Sequence, residues 1–407
     1  MFDRRSFLAR STLISFAPLA PGFLARSLAD EPAKPDERIL VVLQLDGGND
    51  GLNTVIPFAD DNYARSRRQL HIPAAKVLKI NGEVGLHPAM TAAGEMVKEG
   101  HLTVLQGVGY PNPDRSHFRS MEIWHQGRTD VDGNSGYGWL GSALDTVIAK
   151  PDATTNAVYV GNQAVPRALW SRRSQVVSLN RESDLMLPAE WKATSATRAT
   201  STAGNDVTGY VERVVDRSYQ TARQLSEQSS ALGSKLAANY PGTDLARQLS
   251  LVSLMIRNEM AARVYYVSQP GYDTHSGQAG PHERLLQTLS SAIKAFFDDL
   301  TAAKLQDRIV LLAFSEFGRR VEENESVGTD HGAAGPVFLA GPSTIGGVIG
   351  QHPSLTDLDD GDLKMSLDFR AVYASLLQDW LRIPSDAIST ENFPCPQLFR
   401  QHSTTAG

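Results

Sequence analysis

The chain has 407 residues, of which 41% are hydrophobic and 21% charged, values of a globular protein able to bury a sizeable core, so general disorder is excluded. Lys plus Arg number 39 and Asp plus Glu 45, and a formal charge of −6 excludes the basic footprint of a nucleic-acid protein. The single Cys395 excludes an internal disulfide and a cysteine-based zinc cluster, so any metal must be held by Asp, Glu, His, Asn or Ser.

Arg4-Arg5-Ser6-Phe7-Leu8 is followed by Ser11 to Leu24 without a charge, and Ser27-Leu28-Ala29 are small or apolar. A basic start, an apolar middle and small residues predict a removable export signal over residues 1–29, cut before Asp30. The paired arginines resemble the twin-arginine type, which carries proteins already folded; an ordinary basic start is the alternative. Folded export suits a protein that takes up metal first. The apolar run is shorter than the roughly 18 residues of a membrane span, and no later segment qualifies. Asp30 to Glu37 reads as a linker, and the protein is expected in the periplasm or outside the cell.

Ile39 to Leu45 is a nearly continuous apolar run ending in Asp46-Gly47-Gly48, the pattern of a strand buried on both faces. Similar runs recur at Leu102–Val108, Ala157–Val160, Arg263–Val267, Ile309–Phe314 and Val337–Ala340. Ser195 to Gly242 opens as a polar loop; Val211 to Asn239 predicts a long polar helix and Asp244 to Ala262 a more apolar one, together a helical excursion near 205–262. Leu285 to Leu300 and Phe369 to Trp380 carry apolar residues at helical spacing. Strands alternating with helices predict one α/β domain over 38–400, a mainly parallel central sheet with helices on both faces.

In open parallel sheets, ligand sites form beyond the carboxyl ends of the strands. Asp46, Ser116-His117, Asp273-Thr274-His275, Ser315-Glu316 and Asp330-His331 all follow expected strands at that edge. Oxygen and imidazole together suit Zn, Mn or Fe better than Ca or Mg. Each residue also has a plainer role. Asp46 caps a turn, Asp273 and His275 sit in a solvated loop, Glu316 pairs with Arg319 or Arg320, Ser116 caps a helix, or His331 is structural. Their shared placement favours a site. Asp46 to Gly51 fails as a calcium loop, because its third position is Gly48 and its twelfth Pro57. No phosphate loop, G-x-S-x-G elbow or H-E-x-x-H pair is present.

Five segments together resemble a known family: Leu45-Asp46-Gly47-Gly48-Asn49-Asp50-Gly51-Leu52-Asn53, Arg115-Ser116-His117-Phe118, Gly271-Tyr272-Asp273-Thr274-His275, Ser315-Glu316-Phe317-Gly318-Arg319 and Gly328-Thr329-Asp330-His331-Gly332. The family is the exported domain of unknown function numbered fifteen-oh-one, allied to the alkaline phosphatase and sulfatase superfamily, and the resemblance runs from Glu37 to Phe399. It implies an alkaline-phosphatase-like fold and a two-metal hydrolase of phosphate or sulfate esters, acting on an anionic small-molecule or polymer ester. By that resemblance Asp46, Asp273, His275, Glu316 and His331 are metal candidates, and Asp330 joins them by its place beside His331. Ser116 is the nucleophile beside His117, with Arg115 or Arg319 clamping the anion. Relatives usually carry an Asp-His pair where this chain has Ser315-Glu316, a departure bearing on the second metal. The alternative is a degenerate member that binds an exported ligand or partner without turnover.

Overall fold

The computed structural model describes residues 38–131, 136–147, 157–174, 176–181, 238–260, 262–387 and 393–400. The export signal, the linker and the helix expected from Val211, up to residue 237, lie outside them. Among the described residues, no helix is long and apolar enough to cross a membrane.

The first strand, β1 (Ile39–Asp46), shows why both faces of the sheet must be covered. Ile39, Val41, Leu43 and Leu45 point to one side, Leu40 and Val42 to the other, and all are buried. Each such side chain contributes about 1.5–3 kcal/mol on burial. After β1 come α1 (Gly51–Thr54), α2 (Thr91–Lys98), β2 (Leu102–Gly109), α3 (His117–Gln126) and α4 (Trp139–Val147). Then follow β3 (Ala157–Val160), β4 (Val176–Leu179), α5 (Asp244–Arg257), β5 (Val264–Pro270) and α6 (Ala279–Ala302). The chain closes with β6 (Ile309–Ser315), β7 (Gly335–Ala340), β8 (Gly347–Ile349), β9 (Leu367–Asp368) and α7 (Phe369–Ser375), which runs on as a wider turn to Leu381.

These strands make one nine-stranded sheet in the order β8-β2-β7-β6-β1-β5-β3-β4, with β9 also on β2. Helices α2, α5 and α6 cover the Ile39 face. On the Leu40 face lie α3, α4 and α7. The mainly parallel, doubly covered sheet expected from the apolar runs is therefore the architecture. One strand departs from it: β7 is antiparallel to both β2 and β6. The segment between β6 and β7 is a hairpin-like loop without a crossover helix, and a parallel return needs such a crossover. The apolar helix expected to reach Ala262 stops at Arg257, because Glu259 turns the chain at φ 55°.

β1, β5 and β6 run parallel, and β2 is parallel to β6 through the intervening β7. Their carboxyl ends therefore lie at one edge, where a buried ion pair anchors the segment after β1. Arg67 donates to both Asp50 oxygens (2.6 and 3.0 Å) and to the Val321 and Arg320 carbonyls (2.6 and 2.8 Å). Burial alone would raise the Asp50 carboxyl; the Arg67 guanidinium holds it below the usual carboxylate range. Arg67→Met leaves Asp50 buried and uncompensated. Urea denaturation is expected to read a loss of about 3–5 kcal/mol, against about 0.5 or less for the exposed Arg68→Met.

Candidate metal centre

Four loop segments build the site from the strand ends. Gly47 and Gly48 turn the chain after β1 at φ 119° and 72°. A Cβ on Gly47 would stand 2.5 Å from the Asp273 amide nitrogen, so only glycine allows the segment after β5 so close. There the Tyr272 amide donates to the Asp46 carbonyl (3.1 Å), which lays Asp273 and His275 beside the β1 turn. Beyond β6 the chain folds on itself. Gly318 donates to the Ala333 carbonyl (2.8 Å), Gly332 to Gly318 (2.9 Å) and Arg320 to Asp330 (3.0 Å), returning His331 to the same edge. Helix α3 begins with His117, after Ser116 as its N-cap.

Three imidazoles meet at one carboxylate. From Asp273 Oδ1 the Nε2 atoms of His275, His331 and His117 lie 3.0, 3.3 and 3.4 Å away. The His275 and His331 Nε2 atoms are 2.9 Å apart. His117, Asp273 and His331 offer ligand atoms within 4.8 Å of one another. Each ring's other nitrogen faces an acceptor: His117 Nδ1 the Glu316 carboxylate (2.8 Å), His331 Nδ1 the Arg115 carbonyl (2.7 Å), and His275 Nδ1 the Asp330 carboxylate (3.2 Å). With the Nδ1 protons so held, the three Nε2 lone pairs face a common centre. His117 Nε2 is buried without a hydrogen-bond partner. Lone pairs 2.9 Å apart need a cation between them, a proton or a metal ion. Three imidazoles and one carboxylate are a donor set that fits Zn or a similar divalent ion.

The charge balance follows from the contacts. Partial burial alone would raise the Asp273 carboxyl; the hydrogen bond and charge of the Arg319 guanidinium lead the contacts that bring it down to about 2. The hydrogen bond to Glu316 raises the His117 imidazole, and desolvation lowers that of His331. Desolvation raises the Asp46 carboxyl, with nearby Glu316 adding to it.

The nominated residues thus divide. Asp273, His275 and His331 come together, and His117, expected as a catalytic neighbour of Ser116, joins them. Glu316 is fully buried behind His117, taking the Gly47 amide (3.0 Å) and the Ser315 hydroxyl (2.9 Å). It orients a ring. Asp330 does the same for His275. Neither expected ion pair of Glu316 forms: Arg319 turns to Asp273 and Arg320 to Asp360. The anion clamp expected of Arg319 gives way to a positioning role, because its guanidinium is buried and bonded to Gly47, Gly48, Tyr272, Thr329 and Asp273. Arg115 is held by Asp360 and Asp362. Ser116 is exposed and its side chain makes no cap hydrogen bond; its carbonyl receives the Ser120 amide (2.9 Å) and its own amide donates to the Asp114 carboxylate (2.7 Å). Asp46 is not among the grouped ligand atoms of His117, Asp273 and His331; its carboxylate takes the Gln44 amide (3.3 Å) and feels the charges of Glu316 and His117.

A family model described as "Protein of unknown function (DUF1501)" matches residues 37–389. The chain belongs to this family. Curated proteins offer no match in sequence to this DUF1501 member. Among solved structures it is similar to the C-terminal periplasmic domain of EcEptC from Escherichia coli in complex with Zn, at 9% identity and TM-score 0.41, over 88% of this chain and 85% of that one. It is also similar to the PsFucS1 sulfatase from Pseudoalteromonas sp., at 9% identity and TM-score 0.42, over 90% and 74%. The soluble domain of lipooligosaccharide phosphoethanolamine transferase A from Neisseria meningitidis matches at 11% identity and TM-score 0.39, over 89% and 92%.

Sequence reasoning passed over the buried residues that tie the loops together. Gln278 donates to Asp50 and accepts from the Thr274 (3.0 Å) and Thr329 (2.6 Å) hydroxyls, joining three loops. Nothing in local spacing marks a glutamine 228 residues from its partner. The Asp273 contacts make a pH prediction. A carboxyl held at about 2, below the ordinary 3.8, contributes stability that is present above about pH 4 and lost as pH falls toward 2. In metal-free protein, Asp273→Asn should flatten the acid limb of urea midpoint against pH in that window; an unaltered limb contradicts the Arg319–Asp273 account.

Proposed function

We propose that the chain is an exported, metal-dependent hydrolase of phosphate or sulfate esters, with a divalent ion held by His117, Asp273, His275 and His331. Asp46 is a further ligand from the β1 side. The observation that carries this reading is the convergence of three Nε2 lone pairs and the Asp273 carboxylate, each ring locked by its own Nδ1 acceptor. Export is read from the arginine pair and apolar run at the N-terminus.

When bound, a divalent ion supplies Lewis acidity: it lowers the pKa of a nucleophilic oxygen and balances charge on the transferred group. The protein's own residues do the rest. Ser116, at the start of the ten-residue α3, attacks phosphorus or sulfur through Oγ and gives its proton to solvent. The ester's alcohol leaves with a proton from water, and a second water hydrolyses the serine ester. The amides of the first turn of α3 favour the anionic group. Glu316 keeps the His117 Nδ1 proton in place, so that Nε2 stays turned to the centre.

A second reading, a binding protein without turnover, is favoured by one observation: both arginines nominated as anion clamps are engaged, Arg319 by the loops and Arg115 by Asp360 and Asp362. Metal content after expression without chelators tests the centre, with zinc or manganese expected in wild type and lost in His331→Ala and Asp273→Asn. A panel of phosphate mono- and diesters and sulfate esters tests turnover. Ser116→Ala is expected to lower the rate at least about a hundredfold. Equal background rates in wild type and Ser116→Ala, with metal bound, leave only the binding reading.

A further inference from the structure

In β1 the apolar run is broken once, by Gln44, two residues before Asp46. Its side chain is 7% exposed, so both ends of its amide need partners. They have them. Oε1 accepts from the Tyr266 hydroxyl (2.6 Å) and from His125 Nε2 (2.9 Å), while Nε2 donates to Asp46 Oδ1 (3.3 Å). The Asp46 carboxylate, which can only accept, fixes this orientation of the amide, and the Tyr266 hydroxyl and the His125 N–H then donate to Oε1. Tyr266 Oη also lies 3.2 Å from His125 Nε2, which closes a three-way contact on one oxygen.

Each member comes from a different element. Tyr266 is on β5 beside β1, and is paired in register with Val42. His125 lies in the last turn of α3, the helix whose first residue is His117. Helix α3 is thus fastened to the sheet at both ends, by His117 to Glu316 and by His125 to Gln44. Burial pushes the His125 imidazole down to about 3, so the ring is neutral, with one N–H to give. Burial likewise drives Tyr266 far above the ordinary tyrosine range, so its hydroxyl keeps its proton.

We infer that Gln44 is a positioning residue: held by Tyr266 and His125, it occupies Oδ1 of Asp46 and leaves the other carboxylate oxygen to the metal. The inference rests on the reading of Asp46 as a ligand. It assigns the Gln44–Tyr266–His125 group a part in metal affinity, beyond packing of the sheet. Partners of this kind behind a ligand typically change affinity 10–100-fold.

The test is zinc affinity of the full chain by competition with a chromophoric chelator, with a urea melt of each metal-free variant as the folding control. Gln44→Leu, which suits its apolar strand, is expected to bind zinc at least tenfold more weakly; Tyr266→Phe, which removes one hydroxyl, should weaken binding in the same direction. The deciding measurement is the double variant. If Gln44 acts through Asp46, Gln44→Leu weakens zinc no further in an Asp46→Asn background. Wild-type affinity in Gln44→Leu overturns the inference, as does a full additive loss in the double variant or an Asp46→Asn protein that binds zinc normally. Wild type that takes up no zinc removes the metal reading itself, a result distinct from those, and this inference falls with it.

Discussion

One buried guanidinium holds the site's edge together. Arg319 reaches five acceptors: the carbonyls of Gly47 and Gly48 after β1, of Tyr272 after β5 and of Thr329 before β7, together with the Asp273 carboxylate. A charge taken out of water costs several kcal/mol unless its hydrogen bonds and countercharge are supplied, and here they come from three separate loops. The loops therefore cannot drift apart without stranding a cation. A lysine at this position, with a single nitrogen, would not span the same acceptors. The cost of this arrangement falls on glycine. Gly47 and Gly48 turn their carbonyls toward Arg319 in backbone conformations that other residues resist.

Held at that edge, the histidines are aimed from behind. Two carboxylates and one backbone carbonyl take the three Nδ1 protons, so ring orientation is set by groups that do not themselves meet the centre. Phe317 lies 4.9 Å from both the His117 and His331 rings and limits their rotation. Glu316 serves twice, receiving His117 and the Gly47 amide on one oxygen. Glu316, itself bonded by the Ser315 hydroxyl, thus holds the His117 ring from behind in this chain. Asp50, Arg67 and Gln278 repeat the principle one layer deeper, binding the same three loops without touching the imidazoles.

The architecture was legible in the apolar runs, since a strand such as Ile39–Leu45, apolar at every position but Gln44, has to be covered on both faces. The antiparallel β7 was not. Val337 to Ala340 reads like any other buried strand, and its direction depends on what the preceding loop does. Among the site residues, Asp273, His275 and His331 stood out as polar groups after strand ends. Their division into inner and orienting groups did not, because that depends on where side chains turn. Glu316 and Asp330 carry the same chemistry as Asp273, yet face the rings from behind.

Amino-acid order alone determined a doubly covered, mainly parallel sheet, a set of acids and imidazoles at one edge of it, and membership of a family through five segments in sequence. Those properties follow from periodicity and from short stretches of chain. Tertiary structure decided which nitrogen of each histidine looks inward, that Arg319 belongs to the scaffold, and that Gln44 stands between Asp46 and a buried tyrosine–histidine pair. The reason is distance along the chain: the partners lie tens to hundreds of residues apart, and only closure of the sheet sets hydrogen-bond donors against their acceptors.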